Sequence, residues 1–382
     1  MKIDFKKHNE EQKKVWDSFH AGKPVRVPMI IATNARMMLL DPKLNKKNIS
    51  FKEYTEDKDI MLNVQMEYRK WEKFEVIKDA EMGYPKDGWA TNVDFQNYYE
   101  AAWYGCEVHY REGQVPDTEP ILAGDKKNLL FDRGIPEPFS GWMKKGWEYY
   151  EYYKEVVKKG FKYEGIPLTS VGFPSGMGTD GVFTAAVNLR GVEIFTDFYE
   201  DPDYVRKLLD FINEATIKRI KAFRKYAGQE AKQKSMGYAD DSIANISTDM
   251  FKEFVMPHHK KLISELAMEG PHSIHLCGDA TRHFKTLKDE LNIRSFDTGF
   301  PVDFKWIRED LGDDIQIHGG PHIALLLRGS VNAVKEETIR ILKSGIAKGG
   351  KFILREGNNL APCTPMENVA AMYEVVKEYG KY

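Results

Sequence analysis

Hydrophobic residues follow two different rhythms along the chain, with a change near residue 165. Beyond that point, short apolar runs rich in β-branched residues alternate with stretches in which apolar positions recur every three to four residues. The short runs predict strands and the longer stretches predict amphipathic helices. The predicted strands are 168–173, 234–239, 272–277, 293–297, 315–318 and 351–354. Helices are predicted between them at 201–226, 248–268, 281–290 and 303–311, then up to residue 348, and again at the C-terminal end.

Strands that alternate with helices in this way are typical of a parallel sheet. A proline-bounded strand at 24–32 and a helix at 55–75 extend the pattern toward the N terminus. At least six strand–helix units in 382 residues favour a (β/α)8 TIM barrel, which is an α/β fold, over an open sheet. We therefore predict a single barrel domain over residues 1–382.

Residues 83–163 interrupt the regular rhythm with a long aromatic segment. Its prolines and glycines break any period, but its many Trp and Tyr residues are not typical of disorder. We predict an insertion, or lid, that covers the C-terminal mouth of the barrel, with Trp103 or Tyr104 facing that mouth. The alternative is that these aromatic residues only pack a satellite core.

Composition narrows the class of protein. The net charge of −2 gives no argument for a nucleic-acid partner. The first residues lack the apolar core of a signal peptide, and no apolar run approaches the roughly 18 to 20 residues of a membrane helix. Three scattered cysteines are more typical of a cytoplasmic protein than of a disulfide framework. We therefore expect a cytoplasmic protein without membrane segments.

The strongest chemical signal is the pair His275 and Cys277 at the end of a predicted strand. Residues i and i+2 of a strand project to the same face, so the imidazole and the thiol lie side by side. Both are ligands that zinc prefers, and Cys363 offers a third. The alternatives are a buried strand with an inert thiol, or Cys277 acting alone as a nucleophile.

Other polar side chains fall at the predicted strand ends, where a barrel places its chemistry. Asp240 and Asp241 are candidates for substrate contacts, for partners of a histidine ligand, or for a helix-start pair. His318 and His322 are candidates for catalytic or supporting positions. The spacing of Gly176, Gly178 and Gly181 fits a dinucleotide fingerprint, but the required strand ending in an acid is missing, and no P-loop is present.

Several motifs, in order and spacing, resemble the uroporphyrinogen decarboxylase superfamily, and within it the cobalamin-dependent methyltransferases. The resemblance covers most of residues 165–382 and extends faintly from about residue 10. The motifs are Phe183-Thr184-Ala185-Ala186, Leu189-Arg190-Gly191, Asp201-Pro202, Asp240-Asp241, Phe251-Lys252-Glu253-Phe254-Val255-Met256-Pro257, His275-Leu276-Cys277-Gly278, Gly319 with Leu325-Leu326-Leu327-Arg328-Gly329, and Leu360-Ala361-Pro362-Cys363-Thr364-Pro365-Met366-Glu367-Asn368-Val369.

The resemblance implies a zinc site on His275 and Cys277, with a third ligand from the last strand region. The third ligand of the methyltransferases is a second cysteine, which follows a glycine that corresponds to Gly357, where this chain has Asn358. Cys363, Glu356 or an aspartate is therefore expected to complete the site. The resemblance also implies a corrinoid above Gly176, Gly178, Gly319 and Gly320.

The function implied is methyl transfer between a small methylated substrate, such as a methoxyaromatic compound, and the cobalt of a corrinoid carried by a partner protein. One alternative is transfer from methylcobalamin to a thiol. Others are decarboxylation of a tetrapyrrole, which needs no metal, and a barrel that only binds a corrinoid or another ligand.

Overall fold

A computed structural model describes residues 3–382. The helices are α1 (Phe5–His20), α2 (Arg36–Leu40), α3 (Phe51–Glu56), α4 (Lys58–Glu75), α5 (Tyr99–Trp103), α6 (Leu129–Arg133), α7 (Gly141–Lys158), α8 (Val182–Arg190), α9 (Glu193–Glu200), α10 (Pro202–Tyr226), α11 (Thr248–Met250), α12 (Met256–Leu266), α13 (Thr281–Leu291), α14 (Phe304–Leu311), α15 (Ile323–Arg328), α16 (Val331–Leu342) and α17 (Met366–Tyr379). The strands are β1 (Trp89–Asn92), β2 (Val108–His109), β3 (Asp117–Thr118), β4 (Lys162–Tyr163), β5 (Ile166–Gly172), β6 (Gly237–Ala239), β7 (His272–Leu276), β8 (Ile293–Thr298), β9 (Gln316–Gly319) and β10 (Phe352–Leu354). None of the helices within 3–382 combines the length and the apolar character needed to cross a membrane.

Five consecutive strands form one parallel sheet in the order β10-β9-β8-β7-β6. Helices connect them, which confirms the predicted α/β class. The sheet continues past β10 through residues 27–31, because Met29 pairs in parallel with Leu354. The predicted strand at 24–32 is thus reduced to two isolated bridges, the parallel one of Met29 and an antiparallel one between Arg26 and Lys381. All strands of this sheet run in one direction, so their carboxyl ends meet at one edge.

A second, smaller sheet is formed by the order β1-β5-β4. Strand β1 pairs with β5 in parallel, and β4 pairs with β5 in antiparallel orientation. A two-stranded antiparallel hairpin, β2–β3, stands apart from both sheets. The chain therefore has a parallel α/β core, and the aromatic segment supplies β1, the hairpin and β4.

Helix α10 shows how the sequence sets an element that supports the site. Asp201 caps its start by accepting a hydrogen bond from the Tyr204 backbone N–H at 3.2 Å, and Pro202 occupies the first turn. Basic residues in the last turn complement the helix dipole. The predicted helix 201–226 is confirmed, and its buried face includes a fully buried arginine, Arg219.

Two predicted helices are each divided in the structure by a new capping residue. Asp57 separates α3 from α4 and accepts hydrogen bonds from the backbone N–H groups of Asp59 and Ile60. Ser330 separates α15 from α16 and accepts from the N–H of Ala333. Asp and Ser are both strong N-cap residues. A new helix therefore begins after each of them, although the apolar residues keep the same spacing across the break.

The aromatic segment packs mostly on helices, which corrects part of the predicted lid. Trp103 and Tyr104 are buried, and the Tyr104 hydroxyl donates to the Ile212 carbonyl of α10 at 3.3 Å. The Trp103 indole donates to the Glu137 carbonyl at 3.0 Å. The Arg219 guanidinium of α10 lies 5.1 Å from the centroid of the Trp103 ring. Both rings are therefore buried against α10 and do not line the cavity described below.

Two buried histidines make the stability of the fold depend on pH. Burial lowers the pKa of His258 to about 4, and burial likewise lowers the pKa of His283 to about 4. Both rings stay neutral in the folded chain, while in the unfolded chain they bind protons below about pH 6.5. The unfolded state therefore binds more protons between about pH 6.5 and 4, and the free energy of unfolding falls as the pH is lowered through this window.

We expect His283→Gln to reduce this loss, by at most about 1.4 kcal/mol per pH unit. Urea unfolding at pH 7 and pH 4.5 measures the difference. The exposed Gln229 provides the control, since Gln229→Asn changes no titratable group and should leave the pH dependence unchanged. Equal pH dependence in wild type and in both variants would contradict the assignment.

Candidate metal centre

The strand register brings three metal-binding side chains together at the carboxyl edge of the main sheet. Ala239 of β6 pairs with His275 of β7, so the residues two positions further on, Asp241 and Cys277, also become neighbours. One ligand atom from each of Asp241, His275 and Cys277 lies within 4.8 Å of the others. The predicted pair His275 and Cys277 is thus joined by Asp241.

Hydrogen bonds fix the orientation of the His275 ring. Its Nδ1 lies 2.7 Å from Oδ2 of Asp297, and its Nε2 lies 3.2 Å from Sγ of Cys277. Burial lowers the pKa of His275, but the bonds to Asp297 and Cys277 outweigh burial and raise it to about 10. A metal would replace the proton between Nε2 and Sγ, and metal binding at this site therefore releases protons.

Besides contacting His275, Asp297 is paired with the buried Arg355, which in turn is paired with Glu356. Arg355 donates through Nη1 to Asp297 Oδ2 at 2.5 Å and through Nη2 to Glu356 Oε1 at 2.6 Å. Burial alone would raise the pKa of Asp297, but His275 and Arg355 hold it below its ordinary value. Glu356 is fully buried, and burial raises its pKa to about 7 despite the contact with Arg355. Asp297 is therefore kept ionised as the partner of His275.

The surroundings of Cys277 complete the centre. The Cys277 backbone N–H donates to Oδ1 of Asp241 at 2.7 Å, which fixes that carboxylate beside the thiol. The Asn358 side chain donates through Nδ2 to Cys277 Sγ at 3.1 Å. Sequence reasoning noted Asn358 only as the position where the resembled family has a cysteine. Its contact with Cys277 depends on how the chain folds after β10.

A cavity of about 710 Å³ opens beside these side chains. Asp241, His275 and Cys277 form part of its wall, together with Asn358. The aromatic segment contributes Asn97 and Tyr98 and, from the hairpin, residues 116–118. Tyr98 is the only Phe, Tyr or Trp ring among the described wall residues. That the segment forms a lid over the barrel mouth stays a prediction.

The glycine-rich loop 176–181 borders the cavity through Asp180. A fully buried ion pair between Glu100 and Arg219 holds this loop. Glu100 accepts from the Asp180 backbone N–H at 2.9 Å and from Thr179 Oγ1 at 3.1 Å. Burial, followed by the neighbouring Glu100, raises the pKa of Asp180 to about 8. Sequence reasoning missed Asp180 because it appeared only as the end of a glycine motif.

Asp240 has a structural position, unlike its neighbour Asp241. It is fully buried, and its Oδ1 accepts from the backbone N–H and the hydroxyl of Thr184, each at 2.8 Å. Its Oδ2 accepts from the Phe183 N–H at 3.2 Å and lies 2.8 Å from His259 Nε2. A carboxylate at the start of α8 complements the helix dipole. Asp240 is thus turned away from the cavity, which disfavours the alternative of a substrate contact for this residue.

The structure does not bring the other predicted side chains to the centre. His318 Nε2 lies 2.7 Å from Gln316 Nε2, and His322 is exposed at the start of α15, where its Nδ1 accepts from the Ala324 N–H. Cys363 is exposed, with Sγ 3.8 Å from the Leu40 carbonyl oxygen. The chain between β10 and α17 carries Cys363 past the centre, and Asp241 is the side chain that joins His275 and Cys277 there.

The four predicted cofactor glycines lie outside the described cavity wall, and three of them, Gly176, Gly319 and Gly320, pack closely against neighbouring atoms. The carbonyl groups of Gly176 and Gly178 accept hydrogen bonds from Arg219. A Cβ at Gly319 would lie 2.6 Å from Thr298 Oγ1, and one at Gly320 would lie 1.8 Å from the Arg355 carbonyl oxygen. Close packing accounts for Gly176, Gly319 and Gly320, whereas a Cβ at Gly178 would meet no atom within 4 Å. Contact of the four glycines with a corrinoid stays a prediction.

Comparison with known proteins places the chain in a family. Residues 11–379 match the family model of uroporphyrinogen decarboxylase (URO-D). The chain belongs to this family. The uroporphyrinogen decarboxylase family thus covers nearly the whole length, including the strand ends that carry Asp241, His275 and Cys277.

Relatives of this family member include both methyltransferases and decarboxylases. A methylated-thiol–coenzyme M methyltransferase from Methanosarcina mazei is 26% identical over 200 residues, which cover 51% of each chain. A methylcobamide:CoM methyltransferase from Methanosarcina acetivorans is 22% identical over 309 residues, 78% of this chain and 83% of that one. A uroporphyrinogen decarboxylase from Rickettsia conorii is 25% identical over 233 residues, 59% of this chain and 64% of the relative. The chain thus spans only about half the length of the first of these relatives.

A solved structure supports the fold. A methyltransferase from Methanosarcina mazei aligns over 96% of this chain and 98% of its own, with a TM-score of 0.64 and 19% sequence identity. Together with the family match, these similarities confirm the predicted resemblance to the methyltransferase branch of the superfamily.

The contact between Asp297 and His275 predicts a measurable effect on metal affinity. Asp297→Asn removes the charge that fixes the ring, and we expect zinc affinity to fall about 10- to 100-fold. Competition with a chromophoric chelator measures it. Asp303 is a matched control, since it caps α14 away from the centre and Asp303→Asn should leave zinc affinity unchanged. Equal affinities in both variants would contradict the role of Asp297.

Proposed function

We propose that this chain is a corrinoid-dependent methyltransferase in which Asp241, His275 and Cys277 hold a zinc ion beside the cavity. The observation that carries the proposal is the group of three ligand atoms within 4.8 Å at the strand ends. Similarity to a methylcobamide:CoM methyltransferase supports the reaction class.

The residues fit zinc by their chemistry. Imidazole nitrogen, thiolate sulfur and carboxylate oxygen are all zinc ligands, and three protein ligands are typical of a catalytic site with one open position. When bound, zinc acts as a Lewis acid on a heteroatom of the substrate. The chain contributes the support of His275 by Asp297 and a partly enclosed cavity that limits access of water.

The reaction that we propose moves a methyl group from a small methylated substrate, with methoxyaromatic compounds as the first class, to the Co(I) of a corrinoid. The bond between oxygen and the methyl carbon breaks, and its electron pair stays on the oxygen. A carbon–cobalt bond forms from the electron pair of Co(I), which becomes Co(III). The oxygen takes up one proton from solvent, so that the products are the corresponding phenol and methylcob(III)alamin.

We extend the proposal to the closed fold, the corrinoid partner and the cellular location of the protein. The main sheet, its continuation through 27–31 and the β1–β5 pair would close into a (β/α)8 barrel, as one domain with residues 83–163 as a partial lid. A small corrinoid protein would present its cofactor at the cavity mouth. Three cysteines, all free, support a cytoplasmic location.

Two alternatives share parts of this site. Transfer from methylcobalamin to a thiol needs the same metal centre, and the methylated-thiol relative supports it. Tetrapyrrole decarboxylation requires several cationic side chains for a substrate with many carboxylates. Arg36 is the only arginine or lysine among the described wall residues, which disfavours that alternative.

The experiment is a transfer assay with zinc-loaded protein and cob(I)alamin. A panel of methoxyaromatics, methylamines, methanol and methylthiols provides donors, and methylcobalamin with thiols tests the reverse direction. We expect formation of methylcob(III)alamin with at least one donor, followed by its absorption spectrum. Absence of transfer in either direction, from folded protein that retains zinc, would overturn the proposed function.

A further inference from the structure

The side chain of Asn358 stands where the resembled methyltransferases have their second cysteine, and it contacts Cys277. Its Nδ2 lies 3.1 Å from Cys277 Sγ. The Asn359 backbone N–H donates to Asn358 Oδ1 at 2.8 Å, so the amide is oriented with its nitrogen toward the sulfur. Arg355 donates to the Asn358 carbonyl at 3.4 Å and holds the backbone there. Asn358 is thus a positioned hydrogen-bond donor to the thiol.

No second sulfur replaces the missing cysteine in the part of the chain that the structure describes. Cys106 is buried elsewhere, and Cys363 is exposed with its Sγ directed to the Leu40 carbonyl. The cluster within reach of one ion consists of one carboxylate, one imidazole and one thiol. Its donor set is therefore one oxygen, one nitrogen and one sulfur atom.

This donor set changes the character of a metal held by it. Carboxylate oxygen is a harder and weaker electron donor than thiolate sulfur. A hydrogen bond to a metal-bound thiolate withdraws further electron density from the sulfur. Both changes leave the metal more electron-poor than a site with two thiolates. An electron-poor metal favours a hard oxygen ligand relative to a soft sulfur ligand.

We propose that Asn358 is a specificity-determining residue, and that the centre formed with Asp241, His275 and Cys277 selects an oxygen atom of the substrate over a sulfur atom. Methyl ethers, rather than methyl thioethers or thiols, are then the substrate class. The inference rests on the proposed function for its biological meaning, but its central claim, a single-thiolate site, is measured without any corrinoid.

The first test counts thiolates in cobalt-substituted protein. Co(II) loaded into the metal-free chain gives a sulfur-to-cobalt charge-transfer band whose intensity scales with the number of bound thiolates. We expect the intensity of one thiolate in wild type and in Cys363→Ala, and loss of the band in Cys277→Ala. An intensity of two thiolates in wild type that falls to one in Cys363→Ala would overturn the proposal.

The second test compares phenol with thiophenol as probes of the open position, by titration of the Co(II) spectrum. In Asn358→Cys, we expect the charge-transfer intensity to double and the preference for thiophenol over phenol to rise about tenfold or more. Asn358→Ala removes the hydrogen bond without adding a ligand and should shift the preference in the same direction by less. Circular dichroism confirms that each variant is folded.

Unchanged probe preference in folded Asn358→Cys with doubled intensity would overturn the specificity role. The wild-type and Cys363→Ala measurements remain decisive if Asn358→Cys does not fold. A single-thiolate site without methyl transfer to any acceptor would instead overturn the proposed function and leave the ligand set standing. The two failures are thus distinguishable.

Discussion

Cys277→Ser protein is expected to keep its fold and lose both its zinc and its methyl transfer activity. Cys277 is half-buried at the end of β7, and its side chain touches the cavity instead of the packed core. A Lewis-acid metal contributes several kcal/mol to a transition state, so the rate should fall roughly 100- to 1,000-fold. Zinc content by mass spectrometry and the cob(I)alamin assay measure the two effects.

The chain offers a matched control for this variant. Cys363→Ser changes the same atom at an exposed position outside the cluster. It should retain one zinc per chain and wild-type activity. Retention of zinc in Cys277→Ser, or its loss in Cys363→Ser, would show that the ligand assignment is wrong.

The second large effect concerns stability. Glu100 and Arg219 form an ion pair in which both side chains are almost completely buried, and Arg219 also binds the carbonyl groups of the glycine-rich loop. Glu100→Gln leaves the buried guanidinium without its counter-charge. Breaking a buried pair in this way costs about 3–5 kcal/mol in the free energy of unfolding. The substitution should also loosen the glycine-rich loop that carries Asp180, because Glu100 accepts hydrogen bonds from this loop.

An exposed pair provides the comparison. Arg206 and Glu253 are 2.5 Å apart, with side chains 45% and 57% exposed. Glu253→Gln should cost no more than about 1 kcal/mol, because solvent screens the pair. Urea unfolding of both variants gives the two values. Similar losses would mean that solvent reaches the Glu100–Arg219 pair.

Local signals in the sequence were sufficient to predict the strands and helices around the candidate metal centre. The apolar run before His275 predicts β7, and Asp201-Pro202 predicts the start of α10, because each depends on residues within one turn or strand. The His-x-Cys spacing alone places the His275 imidazole and the Cys277 thiol side by side. These are properties of short stretches, and the structure confirms them.

The third candidate ligand, Asp241, could not be identified from any short stretch of the sequence. Asp241 reaches Cys277 because β6 pairs with β7 in the register that sets Ala239 against His275. A shift of one residue would exchange the faces of Asp240 and Asp241. The chain after β10 similarly brings Asn358 to the sulfur and leaves Cys363 outside. Cys363 was predicted as a ligand from its residue type alone. In the folded chain it lies too far from His275 and Cys277 to join them.

The different accessibilities of the three cysteines make chemical labelling a direct report on the centre. Cys106 is buried, Cys363 is exposed, and Cys277 lies on the cavity wall. A maleimide reagent should therefore modify two thiols in the metal-free chain and one in the zinc-loaded chain. The adduct that persists would sit at Cys363, next to Ala361 and Pro362 of the cavity rim. A fluorophore attached there would signal the arrival of a corrinoid protein without occupying the metal site.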